Sequence, residues 1–130
     1  MSLIIESEHT VHIRYRVVTI FKQKDGTNSI TTCSLKDKSQ ADKIASYRRQ
    51  MIHRDIISSD VCSLITTRDK YGYLIIYRGF CIRTIGNNIF IVDTRHIPAY
   101  HYYDFNEITE AIDFIDKMLL NEKFEVNNNA

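Results

Sequence analysis

The chain has 130 residues, of which 44% are hydrophobic and 25% charged, and its formal net charge is +1. This composition excludes a largely disordered chain, because enough apolar surface is available to offset the entropy lost on ordering. No apolar stretch approaches the roughly 20 residues that span a bilayer, and the first residues lack the basic and apolar regions of a secretory signal. We therefore predict a cytoplasmic protein without membrane contact, with one domain over residues 1–121 and a frayed tail over 122–130.

The first half of the chain passes from a strand pattern to a helix pattern. Residues 9–22 carry apolar side chains at every second position, which is typical of a strand with one buried face. Asp25-Gly26 follows and predicts a hairpin turn, because glycine accepts a positive φ, and the return strand is predicted over 29–35. A helical stripe then covers 41–56, with Ser39 as its expected N-cap.

The second half is predicted as strands that end in a helix. A strand over 61–67 precedes a long β segment over 73–85 and its partner over 89–93, with a further short strand after the single proline. The last helix is the clearest element, since its apolar residues recur every three or four positions. They are Ile108, Ala111, Ile112, Ile115, Met118 and Leu119. The acidic residues between them are expected to form a solvated face of Glu107, Glu110, Asp113 and Asp116.

The element order β-β-α-β-β-β-α sets the expected fold class. Strands that follow one another in hairpins form an antiparallel sheet, and two helices are available to cover it. We therefore predict an α+β fold with five to six strands, covered on one face by both helices. The first hairpin is long and its outer edge needs a cover, so we also expect a homodimer formed through that hairpin.

The sequence lacks motifs for most catalytic and metal-binding chemistries. The three cysteines have no C-x-x-C spacing, no serine lies in a G-x-S-x-G pattern, and the four glycines form no phosphate-binding loop. We therefore predict no cofactor, no metal and no catalytic residue. A facial metal site from Asp93, His96 and His101 is geometrically possible if their loop curls. A small hydrolase or nuclease that uses His96 or His101 also stays open.

Charge and tyrosine content indicate a binding surface. Residues 1–103 hold 15 Lys and Arg against 9 Asp and Glu, whereas residues 104–130 hold 2 against 7. Arginine beside tyrosine suits nucleic-acid surfaces and protein interfaces alike. We expect the surface on the first strand and on the segment around the proline, because loops tend to carry function. Its candidate residues are Arg14, Arg16, Arg95, His96, Tyr100, His101 and Tyr102.

Among the function classes, the sequence favours a small non-catalytic protein-binding or regulatory module. The sequence has 20 Ile but only 6 Leu, together with 8 Asn, and this usage is typical of an AT-rich gene. We therefore expect a phage- or plasmid-encoded accessory protein that acts on a host factor. The alternative is a nucleic-acid-binding regulator with a basic Arg/Tyr β-surface, although a pI of 7.7 is low for that class. The acidic last helix also favours a protein partner, because it repels phosphates.

Overall fold

The structure, a computed structural model, describes residues 11–51, 55–95, 99–102 and 105–128. Within these residues the chain forms seven strands and two helices, and the predicted α+β class with antiparallel strands is confirmed. The elements are β1 (Val11–Lys22), β2 (Asn28–Leu35), α1 (Lys38–Arg49), β3 (Asp55–Arg68), β4 (Tyr73–Tyr77), β5 (Phe80–Ile85), β6 (Asn88–Asp93), β7 (Ala99–Tyr102) and α2 (Ile108–Asn128). Neither helix, over the residues described, is long and apolar enough to cross a membrane.

The chain divides into two compact units. The first unit comprises Ile13–Leu64, and the second comprises Met1–His12 with Ile65–Ala130. Strand β3 runs through the boundary, so its residues up to Leu64 belong to the first unit and the rest to the second. The expectation of a single domain over 1–121 stays a prediction, and each unit is described by itself below.

The first unit has the strand order β2-β1-β3 and packs α1 against β2. Its core is centred on Val17 of β1 and on Ala41 and Ala45 of α1, all fully buried. The two alanines lie four residues apart on one helix face, and their small side chains let the helix approach the strands closely. Half-buried side chains complete this core, namely Tyr15, Cys33, Leu35, Ile44 and Val61.

The first hairpin, β1–β2, forms as the sequence predicted. The two strands pair without interruption from Tyr15 opposite Leu35 to Lys22 opposite Asn28. In the connecting loop Gly26 has a φ of +88°, and the Asp25 carboxylate accepts the backbone N–H of Thr27 at 2.9 Å. Asp-Gly therefore closes this hairpin through positive φ and a local side-chain hydrogen bond.

Helix α1 is shorter than the periodicity predicted. It begins at Lys38, where the Asp37 carboxylate caps it by accepting the backbone N–H of Ser39 at 2.8 Å, so Ser39 is not the N-cap. It ends at Arg49, and β3 already begins at Asp55. The prediction of helix up to residue 56 is wrong, because the β-branched residues there extend β3 instead. In that extension Ser59 makes a buried hydrogen bond with Thr19 of β1 at 3.0 Å.

The second unit has the strand order β3-β4-β5-β6-β7, and α2 packs against β5 and β6. The inward positions of three consecutive strands carry its largest fully buried side chains, which are Tyr77, Phe80, Ile82 and Ile91. Helix α2 adds Ala111, Ile112 and Ile115, which the sequence assigned to its apolar face. The helix continues to Asn128, beyond residue 121 where a frayed tail was expected to begin.

The acidic face of α2 is less uniform than the sequence suggested. Glu107, Glu110 and Asp113 are exposed, but Asp116 is only 2% exposed. Its Oδ1 accepts hydrogen bonds from the Tyr77 hydroxyl at 2.7 Å and from the Arg78 guanidinium at 2.8 Å. The expectation of a solvated side chain is therefore wrong for Asp116, which lies four residues after Ile112 and so shares its buried face.

We expect Asp116→Asn to lower the free energy of unfolding by about 2 kcal/mol, because it weakens a buried acceptor of two hydrogen bonds, one of them charged. Glu110→Gln is the matched control, since Glu110 is exposed on the same helix and its amide would still accept the Asn106 N–H. The control should change stability by less than about 0.5 kcal/mol. Chemical denaturation measures both, and equal effects would contradict a buried role for Asp116.

Candidate functional site

The structure places the two candidate arginines of the first strand in the first unit. Arg14 is exposed near the start of β1, and Arg16, two residues later, is half-buried. Side chains two residues apart on a strand point to the same face, so they belong to one surface of β1. These two residues remain candidates for binding.

The remaining candidates lie around β7 and in the segment before it. Backbone pairing sets Tyr100 opposite Val92, His101 opposite Ile91 and Tyr102 opposite Phe90. His96 lies outside the described residues, so the predicted metal site of Asp93, His96 and His101 falls partly outside them.

Arg95 holds a structural position within the second unit. Its guanidinium donates to both carboxylate oxygens of Asp93 at 3.0 and 2.8 Å and to both of Glu122 at 2.8 and 3.1 Å. It also lies over the Phe80 ring at 4.5 Å, a cation–π distance. These two carboxylates raise the pKa of the Arg95 guanidinium further above its ordinary value. The Glu122 contact anchors the turn of α2 just beyond residue 121, which accounts for the helical conformation there.

The β4–β5 turn packs against the Arg95 side chain. Arg78 and Gly79 have φ of 49° and 82°, as the two central residues of a type I′ hairpin require. A Cβ atom on Gly79 would lie 2.6 Å from Cγ of Arg95, so a larger residue there would displace the arginine. A second glycine, Gly26, has a similar φ but nothing within 4 Å of its Cβ position.

A groove in the second unit has features of a binding site. It has a volume of about 660 Å³ and lies between the β3–β4 turn and the start of α2. We call it the turn–helix groove and define it by Arg68, Tyr71, Tyr73 and Thr84 on the strand side and by Phe105, Asn106 and Glu107 on the helix side. A cleft of this volume is within the range of sites that hold a small molecule or a short peptide segment.

The strand wall of the turn–helix groove depends on Asp69. This carboxylate accepts the backbone N–H of Tyr71 at 2.9 Å and that of Gly72 at 3.2 Å. It also accepts two hydrogen bonds from the Arg83 guanidinium, at 2.7 and 2.9 Å, in a bidentate pair. The Arg83 hydrogen bond, followed by the backbone donors, lowers the pKa of Asp69 to about 2. The turn is therefore fixed by a carboxylate that stays charged throughout the neutral range.

Glycine is required at the next position of this turn. Gly72 has a φ of +149°, and a Cβ atom there would lie 2.3 Å from the carbonyl oxygen of Thr84. The close approach allows the Thr84 hydroxyl to accept the backbone N–H of Tyr73 at 2.8 Å. The β3–β4 turn is thus tied to β5 by a hydrogen bond from the Tyr73 backbone to the Thr84 side chain.

The two tyrosines of the turn–helix groove are exposed and stand beside cations. Tyr71 is 56% exposed, with the Lys70 ammonium 5.0 Å and the Arg83 guanidinium 5.7 Å from its ring centre. Tyr73 is 39% exposed, with the Arg68 guanidinium 5.5 Å from its ring centre. Rings and cations at these distances form cation–π pairs, which hold each pair in a common orientation.

The helix wall of the turn–helix groove is polar and acidic. The Asn106 backbone N–H donates to the Glu110 carboxylate at 3.2 Å, and the Thr109 hydroxyl donates to the Glu107 carboxylate at 3.3 Å. Phe105 lies edge-on to Phe114 at 5.7 Å, which attaches the residues before α2 to the helix. The groove therefore places cations and aromatic rings on one wall opposite a carboxylate and an amide on the other.

The sequence analysis identified the arginine–tyrosine pattern but not this groove. Arg68, Tyr71 and Tyr73 belong to that pattern, yet the candidate surface was assigned to β1 and to the segment around the proline. The groove could not be found from the sequence because Asn106 and Glu107, which form its helix wall, follow Tyr73 by more than thirty residues in the chain. Asp69-x-x-Gly72 was recognisable as a turn, but its pairing with Arg83 was not.

The described residues offer no grouping of three or more His, Cys, Asp or Glu side chains that could hold a metal ion. Cys33, Cys62 and Cys81 are half-buried thiols that form no disulfide, and burial raises the pKa of the Cys81 thiol. A thiol with a raised pKa is a weak nucleophile at neutral pH. The turn–helix groove offers hydrogen-bonding groups, charged groups and aromatic rings.

No protein-family model, curated protein or solved structure matches the chain.

The Asp69 pair makes a pH-dependent contribution that NMR can measure. Because the pKa of Asp69 in the folded chain, about 2, lies below its ordinary value of 3.8, its contribution to stability is present above pH 3.8 and is lost as the pH falls through about 2. Arg83→Lys should raise the carboxyl pKa towards 3.8, since one ammonium cannot replace the bidentate pair. Arg68→Lys should leave that pKa unchanged. A carboxyl titration in which Arg83→Lys has no effect would contradict this account.

The contact between Gly79 and Arg95 can be separated from backbone strain. Gly79→Ala should lower the free energy of unfolding by about 3 kcal/mol, because the methyl group adds a displaced Arg95 to the strain of positive φ. Gly26→Ala introduces the same kind of strain into open space, so it should cost only about 1 kcal/mol. Thermal or urea unfolding of the two variants gives the difference. If both lost the same stability, the Arg95 contact would have no energetic importance.

Proposed function

We propose that the protein is a small non-catalytic binding module that takes a segment of a partner protein into the turn–helix groove. The observation that carries this proposal is the pair of exposed tyrosines, Tyr71 and Tyr73, each beside an arginine or lysine. Tyrosine and arginine are among the residue types enriched at the energetic centres of protein interfaces. Because Asp69 and Thr84 already hold the turn, little ordering entropy remains to be lost when a partner binds.

The charge of the second unit favours a protein over a nucleic acid as partner. Over Met1–His12 and Ile65–Ala130 the sequence has 7 Lys and Arg against 11 Asp and Glu. Three of those arginines are held in ion pairs, Arg78 by Asp116, Arg83 by Asp69 and Arg95 by Asp93 and Glu122. A polyanion would gain few phosphate contacts there and would be repelled by Glu107 on the helix wall.

The two walls indicate the chemistry of the partner segment. A carboxylate or carbonyl group suits the Arg68 guanidinium, and a basic or amide side chain suits Glu107 and Asn106. Aromatic or apolar groups between them would contact the rings of Tyr71 and Tyr73. A short segment of mixed charge with a central apolar residue meets all three requirements.

The origin and location of the protein belong to the same proposal. The AT-rich residue usage supports a phage or plasmid accessory protein, whose partner would then be a host factor. Three reduced cysteines suit the cytoplasm, where thiols are kept free.

A nucleic-acid partner is the second candidate, and the charge of the first unit favours it. Residues 13–64 contain 10 Lys and Arg against 5 Asp and Glu. Arg14 and Tyr47 are exposed there, Tyr47 to 69%, and a cation with an exposed ring suits phosphate and base contacts. Arg48 and Arg49 are less available, because they donate to Thr19 and to the Ser59 carbonyl.

Peptide binding to the turn–helix groove can be tested by selecting a displayed library of random peptides against the full chain. We expect enriched peptides to lose about 1–4 kcal/mol of binding free energy against Tyr71→Ala, and a similar amount against Tyr73→Ala. Tyr47→Ala is the matched control, since it removes a tyrosine of the first unit that is more exposed than Tyr71 or Tyr73, and it should leave affinity unchanged. Isothermal titration with the selected peptides measures all three variants.

Two results would contradict this proposal. The first is a set of peptides whose affinity is unchanged by Tyr71→Ala and Tyr73→Ala. The second is micromolar binding of duplex or single-stranded oligonucleotides at about 50 mM salt that is lost at about 200 mM, which is how phosphate-driven binding behaves. If Arg14→Ala then reduced the salt dependence, the nucleic-acid function would replace the protein-binding one.

A further inference from the structure

Strand β2 presents an open edge in the first unit. It is the end strand of the order β2-β1-β3, so β1 is its one hydrogen-bonded neighbour among the described strands. Thr31, Thr32 and Ser34 in its middle and second half are exposed. An end strand leaves a row of backbone N–H and C=O groups unpaired, and such a row is a template for another strand.

The pairing with β1 determines which backbone groups point outward. In the loop, the Gln23 N–H donates to the Thr27 carbonyl at 2.7 Å, so these two residues form a hydrogen-bonded pair. Hydrogen-bonded pairs alternate along an antiparallel ladder, which assigns Ser29, Thr31, Cys33 and Leu35 to bonds with β1. The backbone groups that face away from β1 are therefore those of Asn28, Ile30, Thr32 and Ser34.

The strand β2 carries no protective feature in its own sequence or in its pairing with β1. Its sequence, NSITTCSL, contains no charged residue and no proline over eight residues. The eight consecutive pairs with β1 leave no room for a bulge that would twist the edge away. In contrast β7, the end strand of the second unit, has only four residues and is protected by its short length.

We propose that β2 pairs antiparallel with β2 of a second copy of this chain, about a two-fold axis near Thr31. With the axis at Thr31, Ile30 lies opposite Thr32 of the second copy and Asn28 lies opposite Ser34, so all outward-facing backbone groups meet partners. Because the axis lies at a residue, even-numbered positions of one strand lie opposite even-numbered positions of the other, and these are the outward positions in both. Neither strand brings a like charge against the other, and cross-strand threonine pairs are favourable.

The two-fold arrangement also explains why association would end at two copies. An isologous contact uses the same surface of both chains, so each open edge is consumed by the other. This proposal depends on β2 alone and does not depend on a partner in the turn–helix groove.

The test is sedimentation of the full chain over a concentration range, for the wild type and for Thr32→Pro. Proline removes the outward N–H of Thr32 and leaves the β1–β2 hydrogen bonds in place, because residue 32 does not bond to β1. We expect a wild-type dimer, and for Thr32→Pro a dimer dissociation constant raised by roughly tenfold or more. Thr32→Val is the matched control, since it keeps the N–H and a β-branched side chain, and it should dimerise as the wild type does.

Amide hydrogen exchange provides a second readout that does not depend on any substitution. In the wild-type dimer the N–H groups of Ile30, Thr32 and Ser34 should exchange slowly, and on dilution to monomer they should exchange fast. Those of Thr31 and Cys33 should stay protected in both states, because they bond to β1. A wild type that stays monomeric up to about 100 μM, a weak limit for a specific pair, would overturn the proposal. So would a dimer unaffected by a folded Thr32→Pro variant, or one whose outward amides exchange fast.

Discussion

The Asp69 carboxylate is the constraint on which the turn–helix groove depends. It joins two backbone N–H groups of its own turn to the guanidinium of Arg83 on β5. One charged group thereby fixes the turn, selects the position of Tyr71 and neutralises a nearby arginine. A carboxylate with this many donors is well satisfied in the charged state, so the wall it supports does not need a ligand to form.

Ion pairs of this kind reduce the number of basic side chains that are available to a partner. The sequence has an excess of basic residues before residue 104, but Arg78, Arg83 and Arg95 each hold a carboxylate of the same unit. Arg83 thereby holds the β3–β4 turn, whereas Arg78 and Arg95 hold carboxylates within α2, so these three guanidinium groups are less available to a partner. This internal use of arginine is our main physical reason for preferring a protein partner to a nucleic acid in the second unit.

The two proposals have a joint consequence that follows from symmetry. A dimer formed through β2 would carry two turn–helix grooves, one from each copy. A partner with two matching segments would then bind the second groove as an intramolecular step, with an effective concentration set by the spacing of its segments. Weak contacts at each groove would be sufficient for firm binding, which suits a small accessory module.

Local patterns in the sequence determined most of the secondary structure. Asp25-Gly26 specified the first hairpin, the three-and-four spacing of Ile112 and Ile115 specified the buried face of α2, and alternating apolar residues specified β1. The segment over 73–85, predicted as one long β segment, is instead the hairpin of β4 and β5. The same patterns failed where a local preference met a tertiary contact. Helical spacing extended the first helix to residue 56, but β3 begins at Asp55 and its Ser59 bonds to Thr19 of β1. Local signals act over a few residues, so they fix turns and faces.

Tertiary structure alone decided which charges are free and which residues share a site. Asp116 was expected in solvent, yet Tyr77 and Arg78, almost forty residues away, make it a buried acceptor. Arg95, a candidate for binding in the sequence analysis, also pairs with Glu122 on α2, 27 residues away. The strand and helix walls of the groove are likewise distant in sequence. Such pairings depend on the path of the chain in space, which no local spacing of residues encodes.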